Sequence, residues 1–253
     1  MRVSLFVPCL TDLFYPRVAE CVVRILRRLG MEIDYPAGQT CCGQPALNSG
    51  FTDEARTIAA RMIRVFAETE TVVTPSGSCC SIVREHFPRL FEHDPAMHQQ
   101  AVALANRTFD FLEFVEKRQP VDWTPWNLTF PAVATYHYSC HNREIGITPD
   151  DTVRLLRRIK GLEYRELEKM EQCCGFGGTF AVKQPEISGA MVRDKVACIK
   201  ATGADVLVCN DAGCSMNIIG GCRRAGLDIK ALHIAEILDK AMSNGRDGAE
   251  VKS

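Results

Sequence analysis

Two adjacent thiols followed by a glycine occur twice in this chain, as Cys41-Cys42-Gly43 and Cys173-Cys174-Gly175. Each pair has outlying partners. In the first half 31 residues separate Cys9 from the pair and 36 separate the pair from Cys79; in the second, 32 residues follow Cys140 and 39 precede Cys214. Thiols drawn from three separate stretches onto one point are suited to a polynuclear site for a soft metal. Zinc is the competing metal, because four thiolates make a closed structural site. Structural zinc sites usually use short Cys-x-x-Cys knuckles, and none occurs here. A vicinal pair strains around one tetrahedral ion but can bridge neighbouring irons, so the spacing favours an iron-sulfur cluster. Gly43 and Gly175 are expected to take backbone angles closed to other residues, folding the chain over the metal and turning amides towards sulfur.

The remaining cysteines read differently. Cys21 lies on the apolar side of a predicted helix, Cys198 lies inside another, and Cys222 is similar; all three are expected to pack as small apolar groups. Cys80 and Cys209, beside the main set, are further ligand candidates, as is Asp211.

The elements that must position these thiols repeat as well. Val3 to Val7 is a continuous apolar run, as expected of a buried parallel strand, and a helix opens at Tyr15-Pro16. Met31 to Tyr35 and Thr71 to Thr74 read as further strands, with a helix from Thr52 between them. The same order returns from Ala132. Ile25-Leu26-Arg27-Arg28-Leu29 matches Leu155-Leu156-Arg157-Arg158-Ile159, and the cysteines recur at offsets of 131, 132 and 135 residues. The chain is a duplication. The expected fold is α/β: two tandem pseudo-symmetric Rossmann-like units with parallel sheets and metal sites at the carboxyl ends of the strands. Expected boundaries are 1–90 and 131–245 for the two units, 91–130 for a connecting segment and 246–253 for a disordered tail. The connection is predicted to hold a helix from His98 to Lys117. Its Trp123 and Trp126 are candidates for burial between the units or for docking a partner protein.

Charge narrows the function. With 30 Lys and Arg against 31 Asp and Glu, the chain has no excess positive charge with which to hold nucleic acid or an anionic membrane. No stretch reaches the roughly 18 apolar residues of a membrane helix, and Met1 to Val7 is too brief for a signal peptide. A cytoplasmic location is expected, where thiols stay reduced and 13 cysteines point to metal ligation.

A Cys, a Cys-Cys-Gly and a terminal Cys, repeated along nearly the whole chain, resemble the cysteine-rich CCG domain. This family includes the cysteine-rich subunit of heterodisulfide reductase and iron-sulfur subunits of glycolate oxidase and anaerobic glycerol-3-phosphate dehydrogenase. The absence of ferredoxin-type cysteine runs, with the elements Pro75-Ser76-Gly77-Ser78-Cys79 and Asn210-Asp211-Ala212-Gly213-Cys214, is most similar to its lactate utilisation protein A group. The resemblance implies an electron-transfer component of a system oxidising L-lactate to pyruvate. It further implies a ferredoxin-like iron-sulfur partner and a third lactate-utilisation protein. Five-thiolate noncubane sites, as in heterodisulfide reductase, require Cys at the positions of Ser76 and Asp211, so conventional [4Fe-4S] clusters, one or two per chain, are expected instead. Thiol-disulfide redox chemistry of the heterodisulfide reductase kind and a zinc-stabilised interaction module are the alternatives. His137 and His141 flank Cys140 as candidate donors, ligands or structural histidines, and Arg143 and Lys183 are candidate carboxylate contacts. No nucleotide fingerprint or hydrolytic triad is evident.

Overall fold

A computed structural model describes the backbone of residues 1–250 and the side chains of residues 1–245. Among the described residues, eight strands form two four-stranded sheets, with every pairing parallel. The first contains β1 (Arg2–Leu5), β2 (Glu32–Asp34), β3 (Val72–Thr74) and β4 (Thr108–Asp110), ordered β2-β1-β3-β4. The second contains β5 (Thr129–His137), β6 (Lys160–Tyr164), β7 (Val206–Cys209) and β8 (Lys230–Leu232), ordered β6-β5-β7-β8. Equivalent strand order in both sheets makes this a two-unit α/β architecture of Rossmann-like type.

Thirteen α-helical segments cover the sheets among the described residues. In the first half these are α1 (Cys9–Phe14), α2 (Pro16–Arg28), α3 (Gln44–Asn48), α4 (Thr52–Val65), α5 (Gly77–Ser81), α6 (Phe87–Leu90), α7 (Pro95–Ala105) and α8 (Phe111–Glu113). The second half supplies α9 (Pro149–Arg157), α10 (Phe180–Lys183), α11 (Pro185–Thr202), α12 (Ala212–Arg224) and α13 (Ile234–Glu250). Their faces follow helical spacing: α2 buries Val18, Cys21, Val22, Ile25 and Leu26 while Arg27 and Arg28 favour its C-terminal dipole.

The segment at 91–130 differs from expectation. It carries β4, the outer strand of the first sheet, so the predicted helix His98–Lys117 is broken into α7, β4 and a helical turn over Phe111–Arg118. Three residues, Thr108–Asp110, are too short a run to betray a strand by alternation; pairing with β3 creates it. At the other end α13 is helical to Glu250, overlapping the expected tail, whose residues 251–253 lie outside the described residues.

The halves exchange supports. Helix α13, following β8, packs on α2 of the first half, where Asp239 accepts from Arg24 Nε (2.9 Å) and Arg28 Nη1 (3.1 Å). In the mirrored position, Lys117 after α8 pairs with Asp151 of α9 (2.7 Å), and Glu116 faces Arg158 (3.7 Å). One apolar core runs under both contacts, taking Val3, Val22 and Phe114 from the first half and Ala134, Tyr136 and Leu238 from the second. Trp123 joins that shared core, its Nε1 donating to Glu116 at 2.7 Å.

This packing can be tested at two carboxylates. Asp239→Ala should lower stability by about 2 kcal/mol, because a buried acceptor of two charged donors is removed; an unchanged midpoint of urea unfolding would count against the exchange as a stabilising contact. Asp110, capping the helical turn through Leu112 N (2.8 Å), is buried, and burial pushes its carboxyl up from 3.8 to about 7. A group that keeps its proton longer when folded makes stability fall as pH rises through that window. Asp110→Asn should therefore stabilise the protein more at about pH 8 than at about pH 4.5, and equal gains at both would refute this.

Candidate metal centre

Each key thiol sits where a strand or its following loop ends. Pro8 closes the turn after β1 and Cys9 opens α1; Cys79 lies in the first turn of α5, just beyond β3, as Cys214 lies in the first turn of α12 beyond β7. Cys140 begins a single 3-10 turn after β5. The vicinal pairs occupy the loops before α3 and before α10, each ending at a glycine of positive φ: +86° at Gly43 and +82° at Gly175. At Gly175 a Cβ would lie 3.0 Å from the Ser188 carbonyl, so both angle and space exclude larger residues there.

All eight thiols line one cleft of about 290 Å³ between the two halves. The two cysteine sets are therefore neighbours across a shared space, with Pro8, Leu10, Pro45 and Phe176 supplying apolar wall.

Within each set the sulfurs touch. Cys42 Sγ lies 3.4 Å from Cys79 Sγ. The Gly43 amide is 3.5 Å from Cys41 Sγ, the Gly175 amide 3.4 Å from Cys173 Sγ, and the Phe176 amide 3.4 Å from Cys174 Sγ. Thiol donation from Cys42 and Cys9 pulls the Cys41 pKa down, as donation from Cys140 and Cys174 does for Cys173. Their neighbours move the other way: Cys41 raises Cys9 and Cys42, and Cys173 raises Cys140 and Cys174. In each set a backbone amide also meets that central sulfur. Close-packed free thiols with amide donors fit a thiolate-bound soft metal or cluster.

The other candidates separate. Cys80 points away, into the shared core, with its sulfur 3.9 Å from the Thr108 carbonyl. Cys209 is buried behind Cys214; their sulfurs and a ring nitrogen of His137 all lie within 4.8 Å of one another. His137 is fully buried, and neither ring nitrogen has a hydrogen-bond partner among the described residues. His141 lines the cleft, 3.5 Å from Cys140 Sγ through Nδ1 and 3.1 Å from Gln44 Nε2 through Nε2. Arg143 pairs with Glu171 at the surface (2.8 Å), and Lys183 sits 5.9 Å over the Phe51 ring, so neither lines the cleft.

Asp211 lines the cleft and joins the two halves. Its Oδ2 accepts from Ser76 Oγ (3.0 Å), Ser78 N (3.2 Å) and Ser78 Oγ (2.6 Å), while Oδ1 accepts from Gly213 N (3.1 Å). One carboxylate thus caps α5 and α12 together. Gly77 permits the close approach, since a Cβ there would stand 1.9 Å from Asn142 Oδ1 of the other half. The signal in the sequence was that Ser76 and Asp211 hold the same repeat position and are both good N-cap residues.

The fold and the doubled cysteine set define a class, the cysteine-rich domain carrying the CCG motif, whose family model matches residues 3–84 and again 134–219. The chain belongs to this family. Among curated relatives it is similar to "Lactate utilization protein A 1" of Bacillus anthracis, 44% identical over 244 residues covering 96% of this chain and 100% of that one. "Lactate utilization protein A" of Bacillus licheniformis is 45% identical over 240 residues, 94% of this chain and 99% of that one. Among solved structures a hypothetical protein from Helicobacter pylori shares the fold with a TM-score of 0.67 at 13% identity. That match covers 95% of this chain, which spans 49% of the length of the other.

Asp211→Ala strands three first-half donors and should lower stability by about 3 kcal/mol. Ser78→Ala, losing one hydroxyl, should lower it by about 1 kcal/mol. Comparable losses in urea unfolding for the two variants would rule out the carboxylate as the joint.

Proposed function

We propose that this chain is an iron-sulfur electron-transfer component of a system oxidising L-lactate to pyruvate. The observation that carries the cofactor is the convergence of eight reduced thiols, four from each repeat, on one cleft. The substrate rests on the full-length similarity to proteins named for lactate utilisation. Cys9, Cys41, Cys42 and Cys79 would hold one [4Fe-4S] cluster, and Cys140, Cys173, Cys174 and Cys214 the other. Such clusters supply reversible one-electron storage when bound. The amides of Gly43, Gly175 and Phe176 stabilise charge on sulfur, and the apolar walls limit access of water. Partners are a ferredoxin-like iron-sulfur protein and a third lactate-utilisation protein, all working in the cytoplasm. Among the described residues no helix is long and apolar enough to cross a membrane.

A zinc site has one observation in its favour, the buried grouping of His137, Cys209 and Cys214. Metal analysis separates the two. Protein purified without oxygen should contain iron and acid-labile sulfide and give a paramagnetic signal on reduction. Cys42→Ser and Cys174→Ser should each lose about half the iron, one site at a time. Zinc with neither iron nor sulfide would overturn the reading. The substrate is tested separately: a strain lacking the gene should fail to grow on L-lactate yet grow on pyruvate, and the Cys42→Ser gene should not restore growth. Normal growth of the deletion strain on L-lactate would dismiss the lactate assignment alone.

A further inference from the structure

The two cysteine sets match on the cleft side and differ behind it. Three residues before Cys9 stands Phe6, and three before Cys140 stands His137; five before Cys79 stands Thr74, and five before Cys214 stands Cys209. The second helix after each CCG loop then reaches back to the segment preceding the loop. In the first half Met62 of α4 does so, its sulfur accepting from Thr40 N at 3.4 Å. In the second the residue is Lys195 of α11, whose Nζ donates to the carbonyls of Lys169 and of Met170 (3.3 Å). Lys195 is 0% exposed. Neither acceptor carries a formal charge, so the ammonium is tethered by backbone dipoles, with no carboxylate in these two bonds. Those carbonyls lie four and three residues before Cys173, so the ammonium is held at the segment that leads into the second set. Burial pushes its pKa down, and the thiols of Cys198, Cys174, Cys214 and Cys173 act against that shift.

We propose that Lys195 raises the reduction potential of the second site above that of the first, so that an electron shared within the chain settles at Cys140, Cys173, Cys174 and Cys214. This rests on the iron-sulfur reading given above. Reduction adds one negative charge to a thiolate-bound centre, and a cation buried beside it stabilises that charge with little screening by water or salt. The first site has the neutral thioether of Met62 in the corresponding place, and the cation that meets its equivalent carbonyl, Arg61 donating from Nε to the Gly38 carbonyl at 3.2 Å, is exposed and screened by solvent. Asp211, facing Cys140 and Cys214, acts in the opposite sense, but its charge is spread over four donors that include two helix N-termini. The charge of Lys195 meets only two carbonyl oxygens. The step is a one-electron transfer: the group held by the first set is oxidised, the group held by the second is reduced, and no bond or proton need move.

The test is an anaerobic redox titration followed by electron paramagnetic resonance, with dithionite as the electron source through mediator dyes. Cys42→Ser leaves the second site to be read alone, and Cys174→Ser the first. In the Cys42→Ser background, Lys195→Gln keeps donors for the carbonyls and removes the charge. At a fixed poise it should lower the reduced-to-oxidised ratio of the second site at least about tenfold, 59 mV for a one-electron couple. Lys195→Arg should retain the wild-type ratio, and neither substitution should alter the first site in the Cys174→Ser background. Equal ratios for Lys195→Gln and the parent, or equal shifts at both sites, would overturn the proposal. Should Lys195→Gln fail to assemble its centre, Met62→Lys in the Cys174→Ser background decides: the ratio at the first site should rise, and no rise refutes the proposal. Absence of iron and of any signal in both parent backgrounds would instead defeat the cluster reading itself.

Discussion

A single carboxylate holds the two halves in register. Asp211 begins α12, yet three of its four short hydrogen bonds reach Ser76 and Ser78 at the start of α5. Because both helices follow the central strands of their sheets, this bond places the carboxyl ends of the two sheets face to face. The cleft, its eight thiols and their proximity all depend on that orientation. Gly77, with no side chain where Asn142 approaches, is the steric counterpart of the same contact.

The halves are bound more widely by exchanging helices. Helix α13 covers α2 of the other half, and the turn after α8 docks on α9, so each unit completes the apolar face of its twin. Separate smaller cores lie outside the joint, around α4 and α6 in the first half and α11 and α12 in the second. The molecule thus pairs two self-packed lobes with a continuous core between them.

Duplication made the two cysteine sets alike, and divergence behind them made their electrostatics unlike. Phe6, Met62 and Thr74 give the first set a back wall with neither charge nor imidazole. His137, Lys195 and Cys209 give the second a polar one, and burial together with the Lys195 charge pushes the His137 pKa down to about 3, leaving the ring neutral. Similar ligands in different surroundings are a general way to separate the potentials of two otherwise equal centres.

The sequence by itself determined the family, the duplication, the parallel α/β units and the doubled cysteine pattern, because these reside in local runs and fixed spacings. The glycines after the cysteine pairs were legible too, since tight turns over sulfur leave few other choices. Strand β4 was not, because three residues form it only by pairing with β3. Nor did spacing reveal that two cysteine sets open on one cleft, that Cys80 faces the core, or that Asp211 joins a helix of each half. Those outcomes depend on the relative placement of the halves, set by contacts between residues more than 130 positions apart, for which no periodicity exists to be read. Only the tertiary structure could turn two repeats into one site and place Lys195 behind half of it.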